Sequence, residues 1–133
     1  MIGYTLISFM MMRLGDFAFG INTAAYDELR RSTEYKWPAQ ERFGQRDTLQ
    51  YTGPGNDTIT LTGTILTAYR GGSGQLQRLR NLAAQGQPQF LISGLGMVMG
   101  RWVIERVEEG QTTFAAAGHP RKQEFTVQLR RFD

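Results

Sequence analysis

At 133 residues with 41% hydrophobic content, the chain suits one domain built around a single core. Its 15 basic and 12 acidic side chains leave a formal charge of +3, too small to mark a nucleic-acid surface unless the charges cluster; Arg70, Arg78 and Arg80, and Arg121, Lys122, Arg130 and Arg131, are interrupted by neutral and acidic residues and read as solvated faces. The absence of cysteine excludes disulfides, thiolate metal sites and cysteine nucleophiles, and a single histidine, His119, excludes mechanisms that need two imidazoles.

The opening stretch Met1 to Met12 is apolar. It is shorter than the roughly 20 residues that cross a bilayer as a helix, and it lacks the positive start and small-residue cleavage site of an export signal. No membrane association is expected. The run Met10-Met11-Met12 offers a second start, so residues 1–9 read as a disordered or mis-started extension before one domain at residues 10–133. Phe9 to Ile21, with apolar residues around Gly15 and Gly20, predicts a β-hairpin. From Leu29 to Trp37 the β-favouring run predicts a strand, at an edge, stopped by Pro38; a helix over Ala24 to Arg31 is the rival.

The clearest pattern is Thr58 to Ile65, where Ile59, Leu61, Gly63 and Ile65 alternate with threonines and predict a strand with one buried face. Leu49 and Tyr51 alternate just before it, so Gly53-Pro54-Gly55-Asn56-Asp57 is expected to be the turn of a hairpin. Leu76, Leu79, Leu82 and Ala83 then form one stripe of a short helix that starts at Ser73 or Gly74 and stops at Gly86 and Pro88. Phe90 to Ile92, Val98 to Val107 and Glu124 to Arg130 complete the strands, with a polar turn expected at Glu108 to Gln111. The resulting class is α+β and mostly β, a small barrel or sandwich with one flanking helix.

Catalytic constellations fail one by one. Gly94-Leu95-Gly96-Met97-Val98-Met99-Gly100 places its third glycine too late for a dinucleotide loop and precedes a strand instead of a helix; it reads as a hairpin loop or bulge. Glu105, Glu108 and Glu109 are close only in sequence, and nothing sets them at the spacing of a glycosidase pair. Ser8, Ser32, Ser73 and Ser93 lack a nucleophile elbow, His119 falls in a polar loop, and Asn56-Asp57 lacks the ligand ladder of a calcium loop. The chain is therefore expected to be no enzyme and to use no cofactor or metal. The bottom-up rival is a small β-barrel stacking single-stranded nucleic acid on Tyr35, Trp37, Tyr51 or Tyr69, weakened by the near-balanced charge.

Three stretches carry a family resemblance: Met10 to Phe19, Tyr26 to Leu29, and Tyr51 to Gly63 with its Gly-Pro-Gly-Asn-Asp-Thr-Ile segment. With further agreement at Leu79 to Gly86, Trp102 to Glu105 with Glu108, and Glu124 to Leu129, residues 10–133 resemble the phage tail protein U (GpU) family. The resemblance implies a structural virion protein of contractile-tailed phages, prophages or tailocins, needed for tail assembly. It also implies a fold similar to tail-tube subunits and a ring, of six copies, where the tail tube meets the baseplate hub. Its partners would be itself, the tube protein, the hub and the tape-measure protein; it would assemble in the host cytoplasm and end in the virion tail. A tail-completion or terminator subunit is the alternative within this class.

For such a ring, two segments are candidate interfaces: Glu34, Tyr35 and Trp37 in the Leu29 to Trp37 run, and Gly94, Gly96 and Gly100 in the glycine-rich loop. Tyr35 and Trp37 read equally as core residues, and the loop as an ordinary one. Thr58, Thr60, Thr62 and Thr64 form a polar face toward a lumen or solvent, suited to a bore through which a chain passes without sticking.

Overall fold

A computed structural model describes residues 10–20, 24–66, 74–114 and 120–133. Strands dominate them: in chain order the elements are β1 (Met10–Leu14), β2 (Phe17–Gly20), β3 (Tyr26–Lys36), β4 (Ala39–Gln40), β5 (Thr48–Leu49), β6 (Gly53–Leu66), helix α1 (Gln75–Ala84), β7 (Gln89–Ser93), β8 (Val98–Phe114) and β9 (Pro120–Arg131). Seven strands pair in the order β2-β1-β7-β8-β9-β6-β3, every neighbouring pair antiparallel, while β4 and β5 form a separate ribbon.

The long strand β8 joins two halves of this sheet. Its start pairs with β7, Ile92 opposite Val98 and Gln89 opposite Trp102; from Trp102 onward it pairs with β9. Met12, Leu14, Phe17 and Phe19 from one half and Ile59, Leu61, Phe125, Val127 and Leu129 from the other are buried in one core with Leu76, Leu79 and Leu82 of α1. Burial of this kind stabilises by roughly 25 cal/mol per Å2 of apolar surface removed from water. Trp102, fully buried on the shared strand, donates from Nε1 to the Met99 carbonyl at 2.9 Å.

Among the described residues the expected α+β, mostly β class with one flanking helix is what forms, as a sheet that is not closed. Its edges β2 and β3 meet through side chains: the Phe19 and Tyr26 rings lie edge to face at 6.0 Å, and the Tyr26 hydroxyl donates to the Met11 carbonyl at 3.4 Å. Gly63 makes the close packing of β3 on β6 feasible. A Cβ there would strike the Ala25 carbonyl oxygen and lie 2.8 Å from both Tyr26 Cα and the Phe125 ring.

The first hairpin, the edge strand, the helix and the last strand form where the sequence places them. The rival helix over Ala24 to Arg31 does not: from Tyr26 onward those residues are strand β3, held by the β6 ladder. Two expected turns are also strand. Gly53 to Asp57 is the first part of β6, with Lys36 opposite Gly53 and Tyr35 opposite Pro54, so the hairpin partner of Thr58 to Ile65 is β3 and not Leu49 to Thr52. Pro54 is tolerated because β9 joins β6 only from Thr58, leaving that flank without a ladder.

Glu108 to Gln111 likewise continues β8 instead of turning. Glu109 faces the core side, where Arg80 of α1 reaches it at 2.7 Å and Gln123 donates to it at 3.1 Å. Hydrogen bonds from Gln111, Arg80 and Gln123 hold the Glu109 carboxyl below its usual pKa, Gln111 contributing most. The extension at residues 1–9, together with Arg70, Tyr69, Ser73 and His119, lies outside the described residues.

Candidate assembly surfaces and family

Between Tyr26 and Thr52 the chain leaves the core. Nearly every residue of β3 is exposed, and β4, β5 and the segment between them extend this edge as an arm. Trp37 and Tyr51 pack against each other with ring centroids 5.0 Å apart and planes tilted by 51°, but are 55% and 47% exposed. Tyr35 is 62% exposed, and Phe43 and Leu49 are exposed as well. The core reading of Tyr35 and Trp37 is thus overturned: β3 outruns the helix and the facing strands that could cover it. Glu34 is exposed beside them, with its Cβ 3.0 Å from where a Cβ on Gly55 would stand.

The second segment lies on the other half of the sheet. Gly94 and Gly96 form the turn between β7 and β8, closed by Ser93 N–H to the Met97 carbonyl at 2.9 Å and Met97 N–H to Ser93 Oγ at 3.1 Å. Gly96 takes a positive φ of 88°, which glycine adopts without strain. Gly100 lies within β8, also at positive φ, and a Cβ on it would press on the Arg131 guanidinium at 3.2 Å. Around this turn Phe90, Leu95, Met97 and Val98 are exposed, an apolar cluster that glycine spacing alone did not reveal.

Asp57, expected in a turn, is instead a buried carboxylate at one end of the core. Arg31 grips it with two bonds, Nε to Oδ1 at 3.0 Å and Nη2 to Oδ2 at 2.7 Å; the Thr33 hydroxyl adds a third at 3.2 Å and Arg131 stands 3.7 Å away. These bonds, Arg31's first, hold the Asp57 carboxyl below the usual carboxylate range. Arg31 also lies over the Trp102 ring at 5.6 Å, so one guanidinium ties the arm to the core.

The group lines a cleft of about 770 Å3 with Tyr35, Phe132 and Asp133, the last paired with Arg101. Each of these carboxylates is already matched to an arginine, so the cleft presents no poised acid, base or nucleophile. Among the described residues no three His, Cys, Asp or Glu side chains cluster to hold a metal, and no helix is long and apolar enough to cross a membrane.

Thr58, Thr60, Thr62 and Thr64 point away from the core, as their alternation with buried Ile59, Leu61, Gly63 and Ile65 requires. Opposite them across the ladders stand Arg130, Gln128, Thr126 and Glu124 of β9, and Ser32, Arg30 and Glu28 of β3. This face is polar from strand to strand.

The family model described as Phage P2 GpU matches residues 15–133. A probable tape measure protein of Halomonas phage phiHAP-1 is 32% identical over 123 residues, covering 91% of this chain but only 14% of that longer protein. Among solved structures, the fold is similar to a chain in the tail of an empty GTA particle with C6 symmetry, at TM-score 0.62 and 12% identity over 93% of this chain and 91% of that one. It is also similar to a chain in the virion of a native gene transfer agent particle, at TM-score 0.56 and 15% identity over 94% and 95%. At these identities the likeness concerns the fold. The family match, spanning the arm, the threonine-faced strand and the last β-strands, decides the class: this chain belongs to the Phage P2 GpU family and is a structural protein of a contractile phage tail or tailocin.

Proposed function

We propose that the protein works as a ring of six copies that joins the tail tube to the baseplate hub. The observation that carries this reading is the presence of two unlike apolar surfaces outside the core: the aromatic arm at Trp37 and Tyr51, and the Leu95, Met97 and Val98 turn. A ring closed by rotation needs two different complementary patches on each copy, because its contacts run head to tail. Rigid aromatic side chains against flexible Met and Leu side chains make a fitting pair. Glu34, Tyr35 and Trp37 would form one side of the contact, and the turn bearing Gly94 and Gly96, with Gly100 behind it, the other.

Sixfold symmetry is that of the gene transfer agent tail whose fold this chain shares, and supports the copy number. A tape-measure protein is the third partner proposed. A domain like this one occupies part of a polypeptide that carries that name in Halomonas phage phiHAP-1, which supports physical proximity of the two. Assembly would take place in the host cytoplasm, with the threonine face toward the bore.

Native mass measurement and negative-stain microscopy, on the protein alone and with its cognate tube and hub proteins, test the reading. Rings, formed alone or with those partners, are the expected result. A chain that stays monomeric and unbound with both partners present overturns it.

A further inference from the structure

The polar face of β3, β6, β9 and β8 carries four ion pairs formed within the face. Arg30 lies 3.8 Å from Glu28 two residues away on β3, Arg106 is 3.0 Å from Glu108 on β8, and Lys122 is 3.7 Å from Glu124 on β9. In each case the spacing of two on a strand puts both side chains on the same face. The fourth pair depends on an irregularity. The register shifts between Ile104 and Arg106, which leaves Glu105 without a ladder partner, and this bulge residue reaches Arg130 on β9 at 3.4 Å.

Four cations and four carboxylates therefore cancel, on a ground of threonine and glutamine. An exposed ion pair contributes little to stability, so fold stability alone gives weak reason for pairing every one of these cations. Its consequence for ligands is larger. A polyanion gains affinity by releasing counter-ions when free Lys or Arg side chains meet its phosphates, and a cation already held by a carboxylate offers much less of that gain.

We propose that Glu28, Glu105, Glu108 and Glu124 act as built-in counter-ions that keep nucleic acid from binding to this face, so that a strand can move past it without being retained. In the ring this face would line the bore; that placement rests on the ring reading above, whereas the suppression of binding is a property of the single chain. The carboxylates thus set the specificity of the surface by what they prevent.

The experiment is a salt titration with a fluorescent oligothymidine as probe. Wild type and a cumulative series, Glu108→Gln, then Glu124→Gln, Glu28→Gln and Glu105→Gln added in turn, are compared at low ionic strength. Wild type should not bind, and each removed carboxylate should add roughly 0.7 to the slope of log affinity against log salt, to about 3 for all four. Binding by wild type at low salt overturns the proposal, as does a quadruple variant that folds as wild type and still fails to bind. If the quadruple variant does not fold, Glu108→Gln and Glu124→Gln, both on exposed pairs, decide by the same criterion.

The placement is tested separately by Thr60→Cys in assembled rings, labelled with a small maleimide and with a polymer-linked one. Selective protection from the large reagent supports a bore-facing surface. Equal reaction with both, in rings that form normally, overturns the placement and leaves the ring reading standing; failure to form rings at all counts against that reading instead.

Discussion

Strands β6 and β3 lie side by side, paired over most of their lengths, yet they stand in opposite environments. On β6, Ile59, Leu61 and Ile65 face a core roofed by α1 and the β1-β2 hairpin, and none is more than 2% exposed. On β3 and the arm beyond it, Leu29, Tyr35 and Trp37 are exposed although they are as apolar as their neighbours. Strand propensity and ladder pairing are common to both; what differs is whether a second layer reaches them. Apolar residues under the roof hold the fold together, and those beyond its edge stay exposed on the single chain.

The comparison breaks most visibly at Trp102, which is fully buried where the two halves of the sheet meet. Trp102→Ala should cost about 3–5 kcal/mol in denaturant unfolding, whereas a loss under about 1 kcal/mol would mean the core is not built around it. Gly63→Ala comes next. The added methyl meets the Ala25 carbonyl, Tyr26 and Phe125, and forcing β3 away from β6 should cost about 1–3 kcal/mol.

Asp57→Asn should cost about 1–2 kcal/mol. That is less than a fully buried pair would lose, because the Arg31 side chain remains 39% exposed. Since the Asp57 pKa is lowered on folding, its contribution is present above the unfolded carboxylate value near 4 and is lost as pH falls through the lower folded value. Wild type should therefore lose stability below about pH 4 more steeply than Asp57→Asn, a difference that thermal melts across that window measure. At the other extreme, Trp37→Ala should change monomer stability by less than about 0.5 kcal/mol, because the side chain belongs to no core.

Much of the roofed region was legible in the amino-acid pattern. Alternation at Thr58 to Ile65 and Glu124 to Arg130, and the leucine stripe of α1, each encode one buried face, and that is a local property. The two expected turns failed for a different reason. Gly53-Pro54-Gly55-Asn56-Asp57 has turn chemistry, but Asp57 is claimed by Arg31, 26 residues earlier in the chain, and the polar Glu108 to Gln111 stretch is kept in strand β8, where Glu109 meets Arg80 of the helix. Long-range ion pairs leave no trace in local periodicity.

The candidate assembly surfaces were legible in part. Tyr35 and Trp37 stood out as aromatics in a polar strand, but whether they would be roofed depended on how far the helix and the facing strands extend. Phe43, Leu95 and Met97 sit in segments with no period at all. The ion pairs of the threonine face needed the strand register, and one of them needed the bulge at Glu105.

The central claim is that the arm aromatics serve assembly and not folding, and native mass measurement of Trp37→Ala beside wild type, at matched stability and with tube and hub proteins supplied, tests it most directly. The variant should remain folded and lose the ring. A variant that forms rings like wild type, or one that unfolds, would contradict the claim.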